Sequence, residues 1–187
     1  MVLVTLAIPS ELASSKERLF AFYGDLIERV AGTHGIVAAT PVMIEPFTGS
    51  GGWDATYSLP GQSTAATAAN PTLDLQAIAP GYFSTLGVQL LRGRGFQEGD
   101  RDSASPVAIL SAAAAHRAWP EVDPIGQRIK TGPPDGPEPW RTVVGIVRDT
   151  RYRDVTVAMP IIYIPFAQAG GNELFPTYLA VRSSSSA

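Results

Sequence analysis

The side chains best equipped for chemistry in this chain are His34 and His116, the acids Asp100 and Asp102, and the loop serines Ser50 and Ser63. A metal centre needs two or three ligands at close spacing, as in H-E-x-x-H, and neither histidine has such a neighbour. A hydrolytic serine needs a sharp strand-to-helix turn with a histidine and an acid at hand. Ser50, in Gly49-Ser-Gly51, and Ser63, in Pro60-Gly-Gln-Ser-Thr64, sit in low-complexity stretches instead. Asp100 and Asp102 flank Arg101 and read as a solvated turn, not as an acid–base pair. The 187 residues contain no cysteine, which removes disulfides, zinc–thiolate sites and thiol nucleophiles together. The expectation is a protein without catalytic, metal or cofactor residues. A hydrolase using His116 or the acids near Asp100 is the enzymatic rival.

A glycine–arginine stretch, Arg92-Gly-Arg-Gly95, follows an apolar run and precedes Glu98, Asp100 and Asp102. A phosphate cradle needs backbone N–H groups converging at the start of a long helix. Here the residues that follow are acidic and would repel a phosphate. Gly93 and Gly95 are therefore expected to supply turn dihedrals while Arg92 and Arg94 pair with the nearby acids, Asp100 among them. A net charge of −3 gives no field for polyphosphate, which argues against nucleic acid. Trp53 and Tyr57, in a Gly/Ser/Thr/Ala-rich stretch, are candidates for partner contact, because aromatic anchors dominate interface energetics. They serve equally as a lid folded back on a sheet. Trp119, Trp140 and Tyr163 fall in regular elements and are expected in the core.

The elements that would position these residues follow from periodicity. Val2, Val4, Leu6 and Ile8 alternate with Leu3, Thr5 and Ala7, predicting a strand that buries its valine face. Ser14 and Glu17 have the spacing of a capping box, and Leu19, Phe22, Tyr23, Leu26, Ile27 and Val30 then recur at helical intervals. Residues 36–44 return as a strand, with Pro41 marking an edge or a bulge. Residues 45–71 are expected to be a partly mobile loop. A second strand–helix–strand spans 72–91, so the two units together predict an α+β fold with a ferredoxin-like βαββαβ layer. Strands near 107–110, 127–130, 142–147 and 161–164, with an alanine-rich helix over 111–119, predict a smaller inserted α+β lobe. The boundaries are 1–105 with 170–187 for the first lobe and 106–169 for the second, with a last strand over 178–181 returning to the first. Residues 92–102 then form the junction between lobes, with Arg92, Gly93, Arg94, Gly95 and Asp100 fixing their orientation.

No stretch approaches the roughly 20 apolar residues needed to cross a bilayer, so the chain as given is expected to be soluble. Charged residues make up only 17% of it, and with its apolar start this reads as a segment cut from something longer.

The order of the pieces resembles a known family. Leu75-Gln-Ala-Ile-Ala-Pro-Gly-Tyr-Phe83, Leu86-Gly-Val-Gln-Leu-Leu-Arg-Gly-Arg-Gly-Phe96, Asp100, Pro106-Val-Ala-Ile-Leu110, Trp119-Pro120, Asp123-Pro-Ile-Gly126, Val143-Val-Gly-Ile-Val-Arg-Asp149 and Ile162-Tyr-Ile-Pro165 look like the MacB-like periplasmic core domain of ABC-transporter permeases. Phe22 to Val30 is similar to the family's first helix. Two places depart from the pattern: Ser111-Ala112 stands where members often carry Asn-Glu, and residues 45–70 match nothing in it. The resemblance implies a porter-like lobe with a smaller, Sabre-like one, on the outer side of the bacterial cytoplasmic membrane between the first two transmembrane helices of a permease. It implies a non-catalytic lever, with ATP handled by a separate nucleotide-binding domain or subunit. Its partners would be the permease's own transmembrane helices, a second permease copy and a periplasmic adaptor or cargo. The rival binding reading is a stand-alone extracytoplasmic domain that takes a peptide or lipid under residues 45–70.

Overall fold

A computed structural model describes residues 1–45, 52–170 and 175–184. Within them the chain forms β1 (Val2–Thr5), α1 (Ser10–Ala13), α2 (Lys16–Ala31), β2 (Ile36–Val42), β3 (Trp53–Ala55), β4 (Tyr57–Ser58), α3 (Thr64–Thr67), β5 (Leu73–Ile78), α4 (Tyr82–Leu86) and β6 (Leu90–Gly93). It continues through β7 (Val107–Ser111), α5 (Ala112–Ala118), β8 (Arg128–Thr131), β9 (Arg141–Val147), β10 (Ile161–Pro165), a 3₁₀ turn at Phe166–Gln168 and β11 (Tyr178–Ser183). No helix is long and apolar enough to cross a membrane, among the described residues.

The strands pair into two sheets, of mixed α+β character with their helices. One is three-stranded and antiparallel, in the order β1-β11-β2; the other is eight-stranded and mixed, in the order β3-β5-β10-β7-β9-β8-β4, with β6 also on β9. The single βαββαβ layer expected from the sequence is not what pairs. β1 and β2 belong to the small sheet, whereas β5 lies parallel to β10 and β6 antiparallel to β9 in the large one. Strand pairing also crosses the boundary expected at residues 105 and 106, since β5 precedes it and β10 follows it. The reason lies in β5 itself. Leu73 and Ala77 are buried on one face, and Asp74 and Gln76 are equally buried on the other, so the strand needs cover on both sides.

Two apolar clusters hold the layers together. Tyr82 and Phe83 of α4 share one with Val42 and Ala180 of the small sheet and with Ile109 and Tyr163 of the large one. Leu19 and Tyr23 of α2 share the other with Leu110, Ala114 and Phe166. Tyr23 is tied further by its hydroxyl, which donates to the Pro176 carbonyl. Pro41 stands on β2, an edge strand, where its missing N–H interrupts no ladder.

Three local expectations are corrected. In β1 the valine face is outward, with Val2 59% and Val4 43% exposed, and Leu3 is the residue that packs inward. Alternation alone does not say which face is covered when both carry aliphatic residues. The cap of α2 is Ser15, whose Oγ accepts the Arg18 N–H at 3.4 Å, because Ser14 belongs to the turn leaving α1 and donates to the Glu11 carbonyl. From residue 52 on, the stretch expected to be loop carries β3, β4 and α3. Its polar side chains close bonds within the stretch and to the large sheet: Asn70 Nδ2 donates to the Tyr57 carbonyl at 2.7 Å, and Ser58 Oγ donates to the Gly132 carbonyl, just past β8, at 2.7 Å. Residues 46–51, the rest of that expected mobile loop apart from Glu45, lie outside the described residues, as does Ser50.

Candidate functional site

β6 leaves the large sheet through a crossing of two glycines. Gly93, at φ +72°, pairs with Gly145 of β9, and Arg94 N–H donates to the Val144 carbonyl at 2.9 Å. The chain then loops back on itself. Arg94 grips Asp100 with two hydrogen bonds, Nη1 to Oδ2 at 2.6 Å and Nη2 to Oδ1 at 2.9 Å, and Gln97 N–H donates to the same carboxylate at 2.9 Å. The Arg94 guanidinium, first, and the Gln97 N–H hold the Asp100 carboxyl below the usual carboxylate range, against a smaller opposing effect of burial.

The five residues expected to form a junction do not act as one group. Arg94 and Asp100 pair as expected, but Arg92 reaches away to Asp123, Nη2 to Oδ2 at 2.6 Å, on the turn after α5. That carboxylate also accepts the Ile125 N–H at 3.0 Å. Gly93 needs to be glycine and Gly95 does not: Gly95 has ordinary dihedrals and open space where a Cβ would sit. The two aromatic candidates separate as well. Trp53 on β3 is 44% exposed, whereas Tyr57 is 2% exposed inside the core and offers no surface to a partner. Trp119 is half-buried against the core, Tyr163 is fully buried, and Trp140 lies half-buried beside Arg128 and Lys130.

His34 and His116 are exposed, and Asp102 meets Lys16 at 3.5 Å. No group of three His, Cys, Asp or Glu side chains is placed to hold a metal, among the described residues.

One buried polar network escaped the sequence reading. The strap between β9 and β10 carries Arg153, which pairs with Asp54 of β3 at 2.8 Å and with the fully buried Asp74 of β5. Asp74 also accepts from Gln76 Nε2 at 2.9 Å, and Gln76 in turn accepts from the Tyr82 hydroxyl at 3.1 Å. Beside Arg153, Tyr152 donates its hydroxyl to the Ile44 carbonyl just past β2. The strap is thus fastened to both sheets. Burial raises the Asp74 carboxyl above the carboxylate range despite the hydrogen bond from Gln76 and the charge of Arg153. Arg-Tyr-Arg-Asp at 151–154 has no periodicity that would announce this; the signal available was only one acid and one amide, Asp74 and Gln76, inside the β5 pattern.

Two adjoining cavities lie on the same side of the molecule. The larger, about 420 Å³, runs between the first half of α2 and the loop after Phe96, over a floor that includes Phe20, Tyr23 and Phe166. The ring centroids of Phe20 and Phe166 are 4.7 Å apart. The smaller, about 320 Å³, continues towards α4 and β6, and the two share Ile78, Ala79 and Phe96 as a common wall. Neither is lined by residue 45 or by residues 52–70, the described part of the stretch 45–70 under which the rival binding reading expects a peptide or lipid.

The family model of the MacB-like periplasmic core domain matches residues 9–187, and the chain belongs to that family. Among solved structures, it is similar to the extracellular domain of the noncanonic ABC-type transporter YknZ from Gram-positive bacteria, at a TM-score of 0.60 and 17% identity over 98% of this chain and 82% of that one. It is likewise similar to the periplasmic region of MacB from Actinobacillus actinomycetemcomitans, at a TM-score of 0.61 and 16% identity over 99% of this chain and 74% of that one. At such identities the likeness establishes the fold. Compared with curated protein sequences, the chain has no match.

Proposed function

We propose that this domain is the extracytoplasmic module of an ABC-transporter permease, without catalysis of its own, which transmits conformational change across the membrane as a rigid lever. The observation that carries the reading is the pairing of β1 with β11, Val2 opposite Val181, which makes the first and last strands hydrogen-bonded neighbours in one small sheet. Two membrane segments joined to such neighbours would move the domain as one piece. The strap supports the same reading, because Tyr152 and Arg153 couple the small sheet to the large one. In this reading ATP is hydrolysed by a separate nucleotide-binding domain or subunit, the permease acts as a dimer, and the outer surface meets an adaptor or cargo. The porter-like and Sabre-like lobes of the resemblance are then regions of one body.

These 187 residues carry no cysteine, so the test needs cysteines replaced only elsewhere in the permease. In the intact permease, spin labels at Ser84→Cys and Glu121→Cys within one domain should keep a fixed separation when ATP is added. Labels at Ser84→Cys in two permease copies should change theirs. A nucleotide-dependent change inside the domain, or none between domains, would count against the lever.

A further inference from the structure

The two adjoining cavities form one groove whose walls contain glycines that the chain's own packing does not require. Gly24 lies in the middle of α2 and lines the larger cavity, yet a Cβ built on it meets nothing within 4 Å among the described residues. Gly95 lines the smaller one with ordinary dihedrals and equally open space. Residues without side chains at both stations leave room for close approach from outside. The rim of the larger cavity is acidic, with Glu17, Glu98, Asp100 and Asp102 against Lys16 and Arg101. Asp100 is neutralised by Arg94, and Lys16 is engaged with Asp102 and the Ala169 carbonyl, which leaves as exposed rim charges Glu98, Arg101 and Glu17, the last accepting a hydrogen bond from the Ser15 hydroxyl at 3.0 Å.

We propose that this groove docks an extended segment of a partner polypeptide, with two apolar side chains entering the two cavities and a lysine or arginine facing Glu17 and Glu98. The shared wall of Ile78, Ala79 and Phe96 favours this over a compact ligand, since it divides the groove into two successive apolar stations. Side chains at i and i+2 of an extended peptide point the same way about 7 Å apart, so one strand can present a side chain to each of two successive stations. The net acidic rim selects a basic flank by charge complementarity. The assignment rests on the reading of the domain as a non-catalytic module that meets other proteins, and it adds where and by what chemistry.

The test uses the 187-residue chain alone, without ATP, so that its outcome is separate from that of the lever. Amide chemical shifts are followed during titration with acetyl-Lys-Leu-Thr-Leu-Lys-amide, with the Glu-Leu-Thr-Leu-Glu analogue, and with dodecylamine. The lysine peptide should give saturable shifts confined to the groove, and the glutamate peptide should bind at least tenfold more weakly. Gly24→Leu, which fills the larger cavity's wall, should weaken the lysine peptide at least tenfold, and Val155→Ala, exposed and outside both cavities, should not. Should Gly24→Leu fail to fold, the exposed charge reversal Glu98→Lys serves in its place, with a loss of binding expected. No saturation by the lysine peptide, equal binding of both peptides, or saturation by dodecylamine alone would overturn the proposal.

Discussion

Gly93 stands directly opposite Gly145 in the antiparallel ladder of β6 and β9, and a Cβ on either residue would overlap the backbone of the other strand, at the Val144 carbonyl in one case and the Arg94 carbonyl in the other. The pair lets β6 cross close and turn off the sheet into the loop closed by Arg94 and Asp100. Gly93→Val adds a branched side chain at positive φ to that overlap and should cost on the order of 3 kcal/mol. Gly95→Val, two residues on, should stay within about 0.5 kcal/mol of the parent. Urea denaturation of the two variants checks the contrast, and equal losses would mean that the close crossing does not set the need for glycine at position 93.

Acid should act on this loop through Asp100. Its carboxyl is held low by Arg94, so the folded state binds a proton less readily than the unfolded chain, whose Asp titrates near about 3.9. The sign follows: the stabilisation is present above that value and is lost as pH falls through the lower folded one. Asp100→Asn should therefore flatten the acid limb of the stability curve relative to the parent. Urea midpoints at neutral pH and below about pH 4 show whether the two curves converge as expected.

The strap predicts the opposite sign. Asp74 has its carboxyl raised by burial, so its charged form opposes folding except for what Arg153 and Gln76 return. Arg153→Met removes the cation and leaves a buried carboxylate, at a cost of about 3 kcal/mol near neutrality. Lowering the pH should then restore part of the loss, because the folded variant takes up its proton before the unfolded chain does. A loss that deepens with acid would show that the ion pair does not govern the strap.

The elements were legible where one face of a short segment carries the pattern, and their partners were not. The residues of α2, β7, β9 and β10 follow periodicities that need no tertiary information, whereas the pairing of β5 with β10 depends on contacts across more than eighty residues that no local pattern encodes. The glycines illustrate the limit at the site. An isolated glycine inside a strand signals close backbone approach, so Gly145 was readable in Val143-Val-Gly-Ile-Val147, but nothing local distinguishes Gly93, which is required, from Gly95, which is not. The cap of α2 was displaced by one residue for a similar reason, since Ser14 and Ser15 present the same hydroxyl. Ser15→Ala should cost about 1 kcal/mol and Ser14→Ala much less, as thermal denaturation would show.

Gly24 gives the last prediction, because it sets the fold's interest against that of the groove. A glycine inside a helix costs about 0.5–1 kcal/mol relative to alanine, through the backbone freedom it loses on folding. That cost ordinarily answers a crowded neighbour or a left-handed turn, and Gly24 has neither: it is helical, exposed, and open to solvent where a methyl group would stand. Gly24→Ala should accordingly stabilise the domain by about 0.5–1 kcal/mol, read as a higher urea midpoint with an unchanged slope. A destabilised variant would reveal an intrachain demand for glycine at this position, and the space along α2 would then belong to the packing of the domain and not to a visitor.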